Sequence, residues 1–123
     1  MKTEGKIYDI RQRTYCYALE VMKFLETLPT DYTAQTIGKQ LLRSATSIGA
    51  NVVEAKASSS KRDFANFYNH SLKSANESKF WLGLLQDSGK AVSTQVKPLL
   101  DETQELSNIL ASSLLTMRGK RGF

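Results

Sequence analysis

The sequence predicts an all-α protein, an antiparallel up-down-up-down four-helix bundle, and three observations support this fold class. Apolar residues recur at spacings of three and four along most of the chain, which is the periodicity of an amphipathic helix. Only two prolines and seven glycines interrupt it. No segment alternates apolar and polar residues as a half-buried strand would. Four helices joined by short turns pack most simply in this order, so we expect a single domain over residues 1–123.

The first helix is predicted over about residues 7–28. Its apolar or small positions step by three and four, as one face of a helix requires. Pro29 then ends the helix, because proline lacks an N–H and cannot continue the hydrogen-bond ladder. The positions in this seam are Ile7, Ile10, Thr14, Tyr17, Val21, Phe24 and Leu28.

The second helix is predicted over about residues 34–57. Thr33 is the expected N-cap, since its hydroxyl can accept an otherwise unpaired amide of the first turn. Ala45, Gly49 and Ala50 are small enough to let another helix approach closely. The apolar seam consists of Ile37, Leu41, Ala45, Ile48, Val52 and Ala55.

The third helix is predicted over about residues 61–87. Ser60 and Asp63 have the spacing of a capping box, which marks its start. Beside the main seam runs a second apolar stripe, formed by Phe67, Trp81 and Leu84. One buried face is sufficient for a helix in a monomeric bundle, so the wider surface predicts contact with a neighbouring subunit.

The fourth helix is predicted over about residues 94–117, followed by a frayed tail over 118–123. Pro98 is compatible with this helix because it lies in or near the first turn, where an N–H has no partner to lose. The helix carries the apolar or small positions Val96, Leu99, Thr103, Leu106, Leu110, Ser113, Leu114 and Met117.

Composition argues against an enzyme or a metalloprotein. Zinc and redox sites need several Cys or His ligands at fixed spacing, whereas this chain has only Cys16 and His70. The sequence contains no Gly-rich phosphate loop or nucleophile elbow. We therefore predict no catalytic residues, no metal and no cofactor. Residues 1–6 are polar and no apolar run is long enough for a membrane span, which predicts a cytoplasmic protein without a membrane partner.

A polar stripe on the second helix predicts a network between helices. Its residues are spaced by three and four, and antiparallel pairing sets them opposite polar residues of the third helix. Polar groups at such an interface must satisfy one another, so the network would fix register or oligomeric state. An alternative is that the stripe lines a pocket for a small molecule. The predicted network comprises Arg43, Ser47, Asn51, Glu54, Ser74 and Glu77, with Ser47 also near His70 and Ser71 and Asn51 near Asn66.

Basic residues predict a nucleic-acid-binding end of the bundle. The net charge of +5 favours polyanionic partners. An up-down-up-down order brings the turn between helices two and three, the C-terminus and the basic N-terminal residues to one end. A solvated surface is the alternative interpretation of these charges. The candidate binding residues are Lys56, Lys61, Arg62, Arg118, Lys120 and Arg121, with Lys2 and Lys6 nearby.

Residues 40–85 resemble the four-helix-bundle proteins encoded by intervening sequences in bacterial 23S ribosomal RNA genes. The similarity extends more weakly over most of residues 8–115. Gly49 stands where this family often has proline, and Lys73 stands where glycine is common. The matching positions are Arg43, Ser44, Ala45, Ser47, Ile48, Asn51, Glu54, the turn from Ser58 to Arg62, Phe64, Ser74 and Glu77.

The resemblance implies an up-down-up-down bundle that assembles into a ring-like homopentamer. A relative, the accessory variability determinant of diversity-generating retroelements, binds its reverse transcriptase and nucleic acid. We therefore expect a non-enzymatic homo-oligomer, a pentamer by this resemblance, that binds RNA or DNA backbones. The alternative is a protein-interaction scaffold for a partner such as a reverse transcriptase.

Overall fold

The computed structural model describes residues 9–122, with side chains described through residue 119. It contains four helices, named α1 to α4 in chain order, and the described residues form no strand. The all-α four-helix prediction is therefore confirmed. None of these helices is both long enough and apolar enough to cross a membrane. The helices span Ile10–Leu25, Tyr32–Ala57, Lys61–Asp87 and Ser93–Gly122.

Side-chain caps fix the starts of the first three helices. Asp9 and Gln12 form a reciprocal capping box at α1. Asp31, rather than the predicted Thr33, caps α2 by accepting the Ala34 amide at 2.8 Å. Asp is at least as good an N-cap as Thr, and the earlier start adds Tyr32 and Thr33 to the helix. Ser60 caps α3 as expected, accepting the Asp63 amide at 3.1 Å.

The predicted end of the first helix was wrong. The first helix ends at Leu25, since the amides of Thr27 and Leu28 already bond three residues back, in the tighter geometry typical of a last turn. The fourth helix extends to Gly122, and fraying of the tail over residues 118–123 stays a prediction.

The helices pack antiparallel to their neighbours. Each pairs with the next along the chain, and α1 also packs on α4. Antiparallel order is evident on α2 and α3, where Ser44 meets Ser78 and Ser47 meets Ser74. The fully buried core is dominated by aliphatic side chains from all four helices. Its largest apolar members are Tyr17, Val21, Leu41, Ile48, Val52, Leu82, Leu85, Val96, Leu106 and Leu110.

One polar contact crosses this core between α1 and α4. The Tyr17 hydroxyl lies 2.6 Å from Thr103 Oγ1, which itself donates to the Leu99 carbonyl at 2.5 Å. Thr103 therefore accepts from Tyr17, and both buried hydroxyls are satisfied. Burial raises the pKa of Tyr17 to about 12, so the phenol stays neutral at any physiological pH.

Glycines matter where the chain turns sharply or two helices meet. Gly89 follows α3 with φ +80°, in the left-handed region that closes helix ends. Gly49 faces α1 so closely that a Cβ atom would lie 3.0 Å from Thr14 Oγ1. The small residue expected at position 49 is thus needed for the approach of α1 to α2.

Candidate nucleic-acid interface

The end of the bundle that holds the α2–α3 turn contains a cleft of about 670 Å³. One side is formed by the turn and the first turns of α3, and the other by the C-terminal part of α4. Lys61, Arg62 and Arg118 are its cationic lining residues, and all three are exposed. We call this concavity the basic cleft. Residues separated by more than 50 positions in sequence thereby share one surface.

Local hydrogen bonds hold the turn that carries two of these cations. Ser58 Oγ donates to the Ala55 carbonyl at 2.6 Å and so caps the end of α2. Ser60 begins α3 directly afterwards. The serine run therefore ends one helix and starts the next within three residues, which places Lys61 and Arg62 in the first turn of α3.

Of the other predicted basic residues, only the side chain of Lys56 is described. Lys56 does not line the basic cleft; its Nζ lies 5.5 Å from the ring centroid of Phe64 and 6.0 Å from that of Tyr68. Cation–π attraction to two rings accounts for this placement. The side chains of Lys120 and Arg121 lie outside the described residues, as do Lys2 and Lys6.

The charge of the cleft is not neutralised by its lining. Among the described residues, no Asp or Glu side chain lines it. At the opposite end, Lys90 Nζ instead contacts Asp31 Oδ2 at 2.5 Å. That hydrogen bond, together with the amide of Ala34, holds the pKa of the Asp31 carboxyl below its ordinary value. The described lining of the cleft thus carries cations without a carboxylate, whereas Lys90 at the opposite end is paired.

The structure also brings together most of the predicted polar network on α2 and α3. Arg43 Nη2 donates to Glu77 Oε2, which also accepts from Trp81 Nε1 at 3.0 Å. Ser74 Oγ donates to Ser47 Oγ at 3.0 Å. Asn51 Nδ2 in turn donates to Ser47 Oγ at 3.0 Å, along the same helix.

Three predicted members or contacts of the network were wrong. Glu54 is exposed and has no hydrogen bond within the described residues, so it is not part of the network. Ser47 accepts a hydrogen bond from Ser74 rather than from His70, whose side chain is exposed. Asn51 bonds back to its own helix rather than to Asn66, since the carbonyl of Ser47 is only 2.9 Å away.

Sequence reasoning missed the deeper hydroxyl contacts of this interface. Ser44 and Ser78 are fully buried, with their Oγ atoms 2.8 Å apart. Ser71 Oγ donates to the Ile48 carbonyl at 2.8 Å, across the interface. The small residues at regular spacing on both helices were the available signal. Satisfied hydroxyls leave no open polar pocket here, which argues against the small-molecule alternative.

The pKa of the Glu77 carboxyl is held below its ordinary value of 4.5, first by the Trp81 hydrogen bond and then by Arg43. A carboxyl whose pKa is lower in the folded state than in the unfolded state stabilises the fold at pH values above its unfolded-state pKa. This stabilisation is lost as the pH falls through the lowered, folded-state pKa. In Glu77→Gln, we therefore expect the thermal unfolding midpoint to drop less than in the unmodified protein between about pH 6 and pH 3. Circular dichroism measures this difference.

The matched control for Glu77→Gln is Asp101→Asn, which removes another carboxylate that is exposed and paired with a single lysine, Lys97. Because an exposed ion pair contributes little to stability, the unfolding midpoint of this control at neutral pH is expected to stay close to that of the unmodified protein. An equal midpoint drop in Glu77→Gln and the unmodified protein would contradict the assignment.

Exposed apolar side chains form a surface that the sequence pattern did not single out. On α1, Tyr15 is 68% exposed and Met22 is 49% exposed, with Leu19 between them. On α2, Val53 is 56% exposed, and Leu42 is also exposed. These residues lie on the sides of α1 and α2 that adjoin each other, since Gly49 meets Thr14 and Gly38 lies beside Leu25. The spacing of 15, 19 and 22 was the missed signal.

The second stripe predicted on α3 is mostly covered within the chain. Phe67 and Trp81 are only partly exposed and pack against the core, which their size allows at the edge of an interface. Leu84 is 37% exposed, and the neighbouring Phe80 is 58% exposed. The apolar surface of α3 that remains free is therefore narrower than the sequence suggested and includes Phe80.

Comparison with known proteins identifies relatives without adding an activity. A sequence model of the 23S rRNA-intervening sequence protein family matches residues 6–112. A crystal structure of a protein with unknown function from the S23 ribosomal protein family of Bacteroides thetaiotaomicron VPI-5482 superposes with a TM-score of 0.81. It is 31% identical, and the alignment covers 86% of this chain and 98% of that one. No curated protein matches significantly. With a family match over most of its length, the chain belongs to the 23S rRNA-intervening sequence protein family.

Proposed function

We propose that this protein is a non-enzymatic, ring-forming homo-oligomer that binds RNA or DNA backbones through the basic cleft. The observation that carries the proposal is the convergence of Lys61, Arg62 and Arg118 on one concave surface whose described lining lacks carboxylates. Such a surface attracts phosphates without reading base sequence.

Counterion release makes this binding sensitive to salt. The logarithm of the binding constant falls linearly with the logarithm of the salt concentration. Each phosphate neutralised by a protein cation contributes about 0.9 to the steepness of this line for duplex DNA and about 0.7 for single strands. Three cations in one cleft thus correspond to a slope of about 2 to 3 per protomer. A ring that repeats the cleft would raise both slope and affinity, because linked sites bind one polyanion together.

The binding proposal is tested by charge removal at the cleft. In the triple variant Lys61→Ala, Arg62→Ala, Arg118→Ala, we expect at least a tenfold loss of affinity for a fluorescent RNA at low salt, measured by anisotropy. The control variant Lys23→Ala, Lys39→Ala, Lys97→Ala has the same net charge, but its substitutions lie toward the opposite end of the bundle. Equal losses in both variants, or an affinity independent of salt, would contradict a localised cleft site.

The exposed apolar residues support self-association. The α1–α2 surface carries Tyr15, Met22 and Val53, while Phe80 lies on the outer side of α3. Two different apolar surfaces on one chain suit a head-to-tail contact, which closes into a ring when the rotation allows. Light scattering is expected to give a mass of about five chains by analogy with the resembling ring-forming proteins. A monomer at all concentrations would contradict the ring.

A protein-interaction scaffold is the second candidate function, and the same α1–α2 surface favours it. Patches of this kind on a soluble protein often mark contact sites for other proteins. A monomer that does not bind RNA but forms a stoichiometric complex with a purified reverse transcriptase would favour the scaffold function. A Met22→Glu variant is then expected to weaken that complex, because it places a charge in the patch.

A further inference from the structure

The basic cleft has an apolar floor as well as a charged rim. Phe64, Leu114 and Met117 line it, and each of them is only partly exposed or buried. The volume of about 670 Å³ falls in the range of small-ligand sites, about 300–1,000 Å³. A surface that binds only phosphates along a duplex needs exposed cations, not a recess of this kind. The recess therefore requires its own explanation.

Two amide side chains add hydrogen-bonding groups to the same recess. Asn66 and Asn69 lie one turn apart on α3, and both line the cleft. Within the described part of the chain, neither side chain has a hydrogen-bond partner. An amide can donate and accept at once, which suits the edge of any nucleobase. Cations, free amides and an apolar floor are thus combined in one concavity.

A nucleotide of a single strand combines the matching features. Its phosphate is anionic, its base is flat and largely apolar on its faces, and the edge of the base both donates and accepts. Bases in a duplex are stacked and paired, so they cannot enter a recess, whereas a single strand can turn a base outward.

We infer that the basic cleft seats one nucleotide of a single-stranded nucleic acid, with the phosphate on the cationic rim and the base on the apolar floor. This inference rests on the proposed backbone binding and adds a preference for single strands that carry bases. Lys56 contributes from outside the cleft, since it lies against Phe64 and helps to hold that ring in place.

The test compares a single-stranded oligonucleotide with an abasic strand of the same length and charge. The unmodified protein is expected to bind the strand that has bases about tenfold more tightly, in line with the effect of seating a single base. Ala65→Trp, which fills the cleft, and the double variant Asn66→Ala, Asn69→Ala are expected to reduce this ratio toward one. The ratio of the two affinities is the readout, because any change in backbone binding affects both strands alike.

A matched control, Asn76→Ala with Asn108→Ala, removes two exposed amides outside the cleft and should retain the tenfold ratio. Equal, salt-sensitive affinities of the unmodified protein for both strands would overturn the nucleotide site and leave backbone binding standing. Failure to bind either strand would overturn both. Should Ala65→Trp not fold, the asparagine variants decide, since their positions are exposed.

Discussion

Replacing Arg13 by alanine is expected to lower the free energy of unfolding by about 3 kcal/mol. Arg13 on α1 donates to both oxygens of Glu102 on α4, from Nε at 2.7 Å and from Nη2 at 2.9 Å. Glu102 is 6% exposed, so the variant would leave a buried carboxylate without its partner. Removing one member of a buried ion pair is more damaging than the net value of the pair, because the remaining charge stays desolvated.

Urea denaturation of Arg13→Ala measures this loss, and two further variants identify its cause. Arg11→Ala removes an arginine from the same helix whose pair with Asp9 is exposed, and we expect a change below about 0.5 kcal/mol. Adding Glu102→Leu to Arg13→Ala should recover most of the loss, because no buried charge remains. A loss below about 1 kcal/mol in Arg13→Ala would show that solvent reaches the Glu102 carboxylate and compensates for the missing guanidinium.

Leu82→Ala is expected to destabilise the fold by about 3 kcal/mol. Leu82 lies on α3 and is fully buried, so truncation removes apolar contacts and leaves a cavity in a close-packed core. Leu84→Ala is the matched control, because the same change occurs two residues along, at a side chain that is 37% exposed. We expect that variant to lose less than about 1 kcal/mol in the same denaturation experiment. Similar losses in the two variants would contradict the assigned buried face.

The fold was predictable because each helix has a clear apolar seam. Each of the four predicted seams contributes a fully buried residue, namely Tyr17, Ile48, Leu82 and Leu106. Helix ends were less predictable, since Asp31 and Thr33 are both acceptable caps and only the path of the chain decides between them. The Arg13–Glu102 pair was not predicted, because nothing in local spacing links residues 89 positions apart.

The candidate site was predictable in its charges but not in its shape. Bundle topology is sufficient to place Lys61, Arg62 and Arg118 at one end. The floor of the cleft depends on the rotation of α4, which determines whether Leu114 and Met117 face α3, and periodicity does not give that angle. Lys56 belonged to the same charge cluster in sequence, yet attraction to Phe64 and Tyr68 holds it elsewhere.

The antiparallel order of the bundle has a consequence for the electric field at the basic end. Two helix N-termini, of α1 and α3, alternate there with two C-termini, of α2 and α4, so the backbone macrodipoles largely cancel. The potential felt by a polyanion therefore comes mainly from side chains and decays over about 10 Å at 0.1 M salt. Since the backbone contributes so little, exchanging a few lysines and arginines for glutamates would reverse the sign of that end and convert it into a receptor for cationic partners.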